Sequence, residues 1–301
     1  MYDLSLLSAN DTEIGKQYLT KIYTQKSGIP YQELKELRTT RHQVNVAECL
    51  PINYRFVTKQ LQELERYLSN LTLYAYNKYK YSKIITINNT TYSLGIGGIH
   101  SEDKLRPGVF RTDDDFEIVD ADVTSFYPMI ILNNRIVPAH LDADIFLDVL
   151  QGIVTERIEA KASNNTIVSL ILKFAINSLF GQLKNEFYWL YDPKALISVT
   201  IGGQLLILDL IEKLELSGIE VISANTDGVT CKIPRNLKDT YNNICKEWEN
   251  RTKYALEYVT YAKYARRDVN NYVAVTNKGK VKTKGFFTQP KKEFNKENLI
   301  K

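Results

Sequence analysis

Apolar residues recur every three or four positions through LQELERYLSNLTLYAY, residues 61–76, which predicts an amphipathic helix. Most of the chain from about residue 10 to 80 reads in the same way, as mainly helical. The pattern then changes to β-branched runs on either side of Asn88-Asn89 in KIITINNTTYSLGIGG, a predicted hairpin. A further strand is predicted at FEIVDADV, Phe116 to Val123. It leads through a turn into a helix with Pro128 near its start, where the missing N–H does little harm. IVTERIEAKA and IVSLILKFAINSLFG are two helical stretches joined by Ser163-Asn164-Asn165. A long apolar helix follows over ALISVTIGGQLLILDLIEKLEL, with Gly218 as its stop signal. IEVISANTDGVTCKI reads as strand, tight Asp-Gly turn and strand, and two more strands are predicted near 271–275 and 280–286. The order predicts an α+β fold, with a mixed or antiparallel sheet and a two-helix insertion, and not a βαβ alternation.

Composition adds mostly exclusions. The 301 residues are 44% hydrophobic and 25% charged, an ordinary globular balance with room for one large or two modest domains. No apolar run reads as reaching the ~18–20 residues of a membrane span, so no membrane partner is expected. The first residues lack a basic stretch followed by an apolar one, so a cytoplasmic location is expected. Cys49, Cys231 and Cys245 are odd in number and widely spaced, against a disulfide scaffold or a zinc site. His42, His100 and His140 make no HExxH, and no P-loop string occurs.

Charge changes the picture more. The net charge of +4 hides an asymmetry: from Lys232 onward 17 Lys and Arg stand against 7 Asp and Glu, behind an acidic first part. That suggests a polyanion held beside a carboxylate-rich centre, although a solvated lysine-rich tail gives the same count. The 20 tyrosines serve equally for core packing and for stacking on bases or sugars.

Two carboxylates stand out. Asp122 ends an apolar strand and Asp227 sits at the tip of a predicted hairpin. Brought together on adjacent strands, they could hold two Mg2+ ions ~3.5–4 Å apart for an in-line displacement at phosphorus. Taken singly, Asp122 also reads as a helix cap and Asp227 as a turn former. Lys173 and Asn177 share one helical face, and so do Arg157 and Lys161 on the preceding helix. Such faces could hold a triphosphate against the metals; the plainer reading is a solvated basic face.

Three strings, in this order, resemble the A, B and C motifs of family B DNA polymerases, most nearly the phage branch. They are Asp122-Val-Thr-Ser125-Phe126-Tyr127-Pro128, Lys173-Phe-Ala-Ile-Asn177-Ser178-Leu-Phe180-Gly181 and Ser223-Ala-Asn225-Thr226-Asp227-Gly228. YSLGIGGIH, with Gly97 and Gly98, is similar to that family's template-binding element, and YARRDVNNYVAV and KVKTKGFF resemble its duplex-holding segments. Phe180 stands where the family has Tyr, Asn225 where it has the first Asp of the third motif, Ser223 where it has Tyr, and Gly228 where it has Ser. The resemblance implies a DNA polymerase core that adds deoxynucleotides to a primer 3′ end. Asp122 and Asp227 would be the metal ligands, with the Val123 carbonyl; the cofactor would be two Mg2+ ions, with Mn2+ as substitute. Arg157, Lys161, Lys173 and Asn177 would hold the deoxynucleoside triphosphate, and Tyr127, with Ser125 and Phe126 beside it, would exclude a 2′-hydroxyl. Gly97, Gly98, Lys263, Arg266, Arg267, Tyr272, Lys282 and Lys284 would hold the primer-template DNA.

The implied organisation is a helical N-terminal segment at 1–90, palm at 91–134, fingers at 135–185, palm again at 186–287 and a basic tail or thumb start at 288–301. The DxE of Asp11-Thr-Glu13 follows polar residues and reads as a helix start, not as an exonuclease ligand set. A separate chain supplying exonuclease or thumb is therefore an expected partner, with weak, non-proofreading synthesis by this chain alone. Asp122 and Lys173 are 51 positions apart, which leaves little room for the insertion of protein-primed relatives. The alternative is a non-catalytic, nucleic-acid-binding palm subunit of a split polymerase.

Overall fold

The structure is a computed structural model and describes residues 10–39, 41–51, 53–75, 78–102 and 107–288. Among these, the chain begins with α1 (Asp11–Ser27), α2 (Tyr31–Leu34), β1 (Gln43–Asn45), α3 (Lys59–Ser69) and β2 (Thr72–Tyr74). The hairpin β3 (Lys83–Ile87) and β4 (Thr90–Leu94) follows, then β5 (His100–Ser101), β6 (Gly108–Arg111) and β7 (Phe116–Val123). Next come four helices, α4 (Phe126–Asn133), α5 (Ala143–Ala162), α6 (Thr166–Gln182) and α7 (Pro193–Leu216). The last part holds β8 (Glu220–Asn225), β9 (Gly228–Pro234), α8 (Lys238–Thr252), β10 (Leu256–Asp268), β11 (Asn271–Thr276) and β12 (Val281–Lys284).

The fold is α+β. Nine strands run β12-β11-β10-β7-β9-β8-β5-β4-β3, β6 pairs with β10 to make the tenth, and every pairing is antiparallel. Side chains alternate across a strand, and β7 shows what that does here. Val119, Ala121 and Val123 enter the main core under the helices, whereas Ile118, Asp120 and Asp122 face the other way, Ile118 joining Ile222, Tyr261, Tyr264 and Ala274. One face of β7 is therefore core, and the other carries the carboxylates.

The helix α7 is the main core element. Its N-cap Asp192 accepts from Ala195 N at 3.0 Å and from Ala139 N at 2.8 Å, Pro193 opens the first turn, and Gly218 follows its end at φ 82°. The most apolar stretch of its 24 residues has a mean hydropathy of 1.7, and the helix is long and apolar enough to cross a membrane, which corrects the expectation that no run reaches that length. The most apolar stretch is wholly buried inside the protein, with α4 and α8 packed on it, so here it is a core helix. The insertion α5 and α6 forms a helical pair that also packs on α1. That packing is close: a side chain at Gly15 would meet the Phe174 carbonyl and the Ser178 hydroxyl, and Ser178 Oγ donates to Thr12 O at 2.9 Å.

Several expectations need correction. The helix predicted over 61–76 stops at Ser69; residues 72–74 pair with β1 as a two-stranded sheet, and 76–77 lie outside the described residues. The hairpin turn is Thr226-Asp227, not Asp-Gly, because Gly228 is already the first residue of β9, opposite Asn225. The 13-residue β10 was foreseen only as a basic segment, and α8 not at all. Register shifts between Tyr261 and Lys263 and between Arg266 and Asp268 break the alternation by which β10 would be recognised. The expected tail beyond residue 288 lies outside the described residues. Asp11 and Glu13 occupy the first turn of α1, where the N-cap Asn10 accepts from Glu13 N, so this pair is helix-start chemistry.

Candidate active site

The site forms where β7 ends against the β8–β9 turn. Asp122 lies opposite Gly228 in the register, and Val123 N donates to the Asp227 carbonyl at 2.7 Å, stapling the strand end to the turn. A side chain on Gly228 would collide with the Asp122 carboxylate, so glycine is what lets that carboxylate lie across the hairpin. Thr226 takes a left-handed φ of 60°, and its N–H donates to Ile99 O at 2.8 Å. Gly98 sits so near that a Cβ there would strike the Thr226 side chain, while Gln204 Nε2 donates to the Gly95 carbonyl at 2.8 Å and to that of Gly97. The glycine element thus fixes the turn that carries Asp227.

Asp122, Asp227, Asp120, Ser223, Asn225, Thr230, Tyr261, Tyr264, Tyr272 and Lys284 line one polar recess of about 230 Å³. Burial pushes the Asp122 carboxyl up, and the neighbouring charges of Asp120 and Asp227 push it the same way. Burial also raises Asp227, against the opposing pull of a backbone hydrogen bond and of Lys284. Both side chains stay open to solvent, and carboxylates crowded together in this way are stabilised by a cation between them. Their oxygens suit a hard divalent ion, so Asp122 and Asp227 fit the two-ion reading. Among the described residues no three Asp, Glu, His or Cys side chains close into a ligand cage, so the rest of any coordination shell falls to backbone, water and substrate.

A second recess, of about 250 Å³, is lined by Ser125, Phe126, Tyr127, Pro128, Arg157, Lys173, Ile176, Asn177, Thr226 and Asp227. Ser125, the N-cap of α4, is left-handed at φ 50° and ψ 44°, a conformation that costs a non-glycine residue about 1–2 kcal/mol. Its hydroxyl accepts from Arg157 Nη1 at 3.3 Å. Arg157 Nε is buried with no hydrogen-bond partner among the described residues, a donor left over in an anion-sized space. Tyr127 packs on Phe180 at 4.3 Å between ring centroids and stacks beside Phe126 at 6.1 Å. The ring contact that Phe180 makes needs no hydroxyl.

Most of the residues singled out for a nucleotide therefore converge, and Asp227 lines both recesses. Lys161 lies apart: its Nζ pairs at 3.7 Å with Glu257, the residue opposite Asp122 on β10. The basic residues expected to hold DNA divide. Lys263 and Arg267 are exposed on β10, Arg267 paired with Asp268 at 3.1 Å. Tyr272 and Lys284 line the carboxylate recess and are opposite each other in register. Lys282 is drawn to Tyr261 and Asp120, and Arg266 is a correction: it is 6% exposed, its guanidinium 5.3 Å over the Phe110 ring, and so is not presented to a duplex. Gly97 and Gly98 likewise back the Asp227 turn. Asp120, Thr226 and Glu257 were missed; the Asp-Ala-Asp alternation in β7 was the available signal for Asp120, since both carboxylates must share a face.

Fold and site together define an antiparallel α+β domain with a carboxylate pair between a strand end and a hairpin turn, next to a two-helix insertion that presents Arg157 and Lys173. No protein-family profile matches the sequence, and no curated protein matches it. Solved structures similar to it include the family B DNA polymerase from the hyperthermophilic archaeon Pyrobaculum calidifontis, at a TM-score of 0.45 and 19% identity over 60% of this chain. The match covers 28% of that polymerase's length.

Proposed function

We propose that this chain is the palm-and-fingers core of a template-directed DNA polymerase of the family B kind, adding deoxynucleotides to a primer 3′ end. The observation that carries the reading is the convergence of Asp122 and Asp227, stapled by the Val123–Asp227 backbone bond, with the recess of Arg157, Lys173 and Asn177. The likeness to the phage branch rests on the three motif strings. Asp122, Asp227 and the Val123 carbonyl would hold two Mg2+ ions, or Mn2+ in their place. When bound, such ions lower the cost of forming the 3′-oxyanion and neutralise charge on the leaving pyrophosphate. Arg157 and Lys173 supply the positive charge for the triphosphate, Asn177 a neutral donor, and Ser125 the anchor that aims Arg157. The primer 3′-oxygen attacks the α-phosphorus, the bond to pyrophosphate breaks, and the hydroxyl proton passes to water. Primer extension on a labelled hairpin template with Mg2+ tests the reading; template-dependent extension supports it. DNA binding without extension, in Mg2+ and in Mn2+, would turn it to the non-catalytic palm subunit.

Tyr127 is the sugar discriminator in this reading. Its ring is wedged between Phe126 and Phe180 at the recess floor and cannot yield to an extra hydroxyl without moving both. Tyr127→Ala is expected to raise the ribo-to-deoxynucleotide ratio of kcat/KM by about 10- to 100-fold, the usual reach of one steric contact. An unchanged ratio would make Tyr127 an ordinary packed ring.

Glu257 competes with the nucleotide for Lys161. Their pair is exposed, with side chains 56% and 61% accessible, so its hold is weak. Glu257→Gln is expected to lower KM for the incoming nucleotide by about two- to threefold, in keeping with a surface ion pair. Steady-state kinetics with Lys161→Gln as the partner variant reads it: Glu257→Gln should have no effect once Lys161 is gone.

A further inference from the structure

Asp120 sits two residues before Asp122 on the same face of β7, yet its oxygens are differently engaged. Thr230 Oγ1 donates to Oδ1 at 2.8 Å and the Tyr261 hydroxyl donates to Oδ2 at 2.7 Å. Lys282 Nζ donates to the Tyr261 hydroxyl at 3.0 Å and lies 3.7 Å from Asp120 Oδ2. Strands β7, β9, β10 and β12 are thereby joined at one carboxylate. A carboxylate whose two oxygens each accept a hydrogen bond from fixed protein donors is a poor vacant ligand but a good anchor for a cation. Lys282 in turn is not a free surface lysine: its side chain is 36% exposed, and its charge reaches Asp122, where it favours the ionised form.

We propose that Asp120 is a positioning residue, which with Tyr261 holds the Lys282 ammonium at the carboxylate recess, where the cation orders the phosphate at the reacting end of the primer. The alternative for Lys282, a general contact to the duplex backbone, needs an ammonium whose charge is unmatched before DNA arrives. A lysine already neutralised by Asp120 adds little counterion release on binding. This inference rests on the polymerase reading.

The test compares Asp120→Asn, Lys282→Met, their double variant and Lys282→Arg in single-turnover primer extension, with duplex binding measured across salt. Each single variant is expected to lower the maximal rate by about 10-fold, the scale of one charge-assisted contact, with KM for the nucleotide unchanged. The double variant should be no worse than the poorer single one, and Lys282→Arg should recover most of the rate. The salt slope of binding should not change in Lys282→Met. A slope smaller by about 0.9 with an unchanged rate would make Lys282 a duplex contact and overturn the proposal. Additive losses would overturn it by removing the coupling, and loss in Asp120→Asn as complete as in Asp122→Ala would make Asp120 a catalytic carboxylate instead. Should Asp120→Asn fail to fold, Tyr261→Phe, which deletes one hydroxyl, should still lower the rate at constant nucleotide KM; an unchanged rate counts against the anchor. Extension by the wild-type chain is the control for the polymerase reading: its failure overturns both, whereas the variants on an active wild type bear on Asp120 alone.

Discussion

Asp122→Ala and Asp227→Ala are each expected to lower single-turnover primer extension by about 10³-fold or more, while duplex affinity stays within a few-fold of wild type. In the proposed reaction the two carboxylates would carry the charge at the metals, and neither would have a substitute: Asp120 is engaged by Thr230 and Tyr261, and Asn225 is neutral. On the proposed reading, duplex affinity would reside mainly in basic residues away from the turn, such as exposed Lys263. Asn225→Ala should be far milder, because an amide adds no charge to the site. The measurement is rapid-quench extension paired with equilibrium binding on the same duplex. Extension by either Asp variant at near wild-type rate would remove both from the mechanism, and equal loss in Asn225→Ala would show that the wrong residue of the turn was chosen. Gly228→Ser makes a useful third variant, since its side chain would displace the Asp122 carboxylate without changing any charge.

The largest expected loss of stability lies outside both recesses, at Asp209. This residue is fully buried in α7 and accepts from Arg55 N at 3.1 Å, from Lys213 Nζ at 2.5 Å and from Arg251 Nη2 at 2.5 Å. Arg251 also donates to the Asn53 carbonyl at 2.5 Å, and one turn along α7 Glu212 accepts from Val57 N at 2.8 Å and from Thr58 N at 2.7 Å. Segment 53–58 is thus tied to the core helix by two buried carboxylates. Asp209→Ala leaves Lys213 and Arg251 facing each other with side chains only 18% and 13% accessible. Breaking one partner of such a set costs about 3–5 kcal/mol, far more than the intact set is worth against a hydrophobic replacement. At this chain length that is a fall in Tm of roughly 5–8 °C. Thermal and urea unfolding read it, and a shift below a degree would mean that water reaches the pair and screens it. Folded Asp209→Ala protein should retain its extension rate, which separates this loss from that of the Asp122 and Asp227 variants.

Much of the fold is legible in the sequence wherever one period dominates. The strand at Phe116–Val123, the helical pair α5 and α6, the helix α7 and the hairpin β3–β4 each follow from a hydrophobic repeat bounded by turn residues. Two kinds of element escape. Strand β10 buries Leu256 against the main core and Tyr261 in the second cluster, and is irregular between Tyr261 and Lys263, so Leu256, Tyr261 and Tyr264 do not follow a period of two. Helix α8 buries Tyr241, Cys245, Trp248 and Thr252 at four- and three-residue steps, but most of its residues are polar and the stripe is narrow. Strand β2 is too short to outweigh the helical spacing that runs into it from α3.

For the candidate site the division has a physical basis. Residue type and spacing make Asp122, Asp227, Arg157, Lys161, Lys173 and Asn177 candidates, because carboxylates beside apolar strands and polar groups one helical turn apart are local patterns; Tyr127 enters only through the resemblance of its string to family B polymerases. What local patterns cannot carry is the partner of each charge. Only the packed sheet draws Lys282 to Asp120, turns Arg266 inward over Phe110, sets Lys161 against Glu257 and lays the Asp122 carboxylate across Gly228. Each of these pairings joins residues far apart in the chain, and all but Lys161, which comes from α5, sit on strands where a shift of one residue in register would turn the side chain to the opposite face. The sequence by itself therefore determines which groups are candidates for the proposed chemistry, and the tertiary structure decides which of them are brought together and which are already held by another residue.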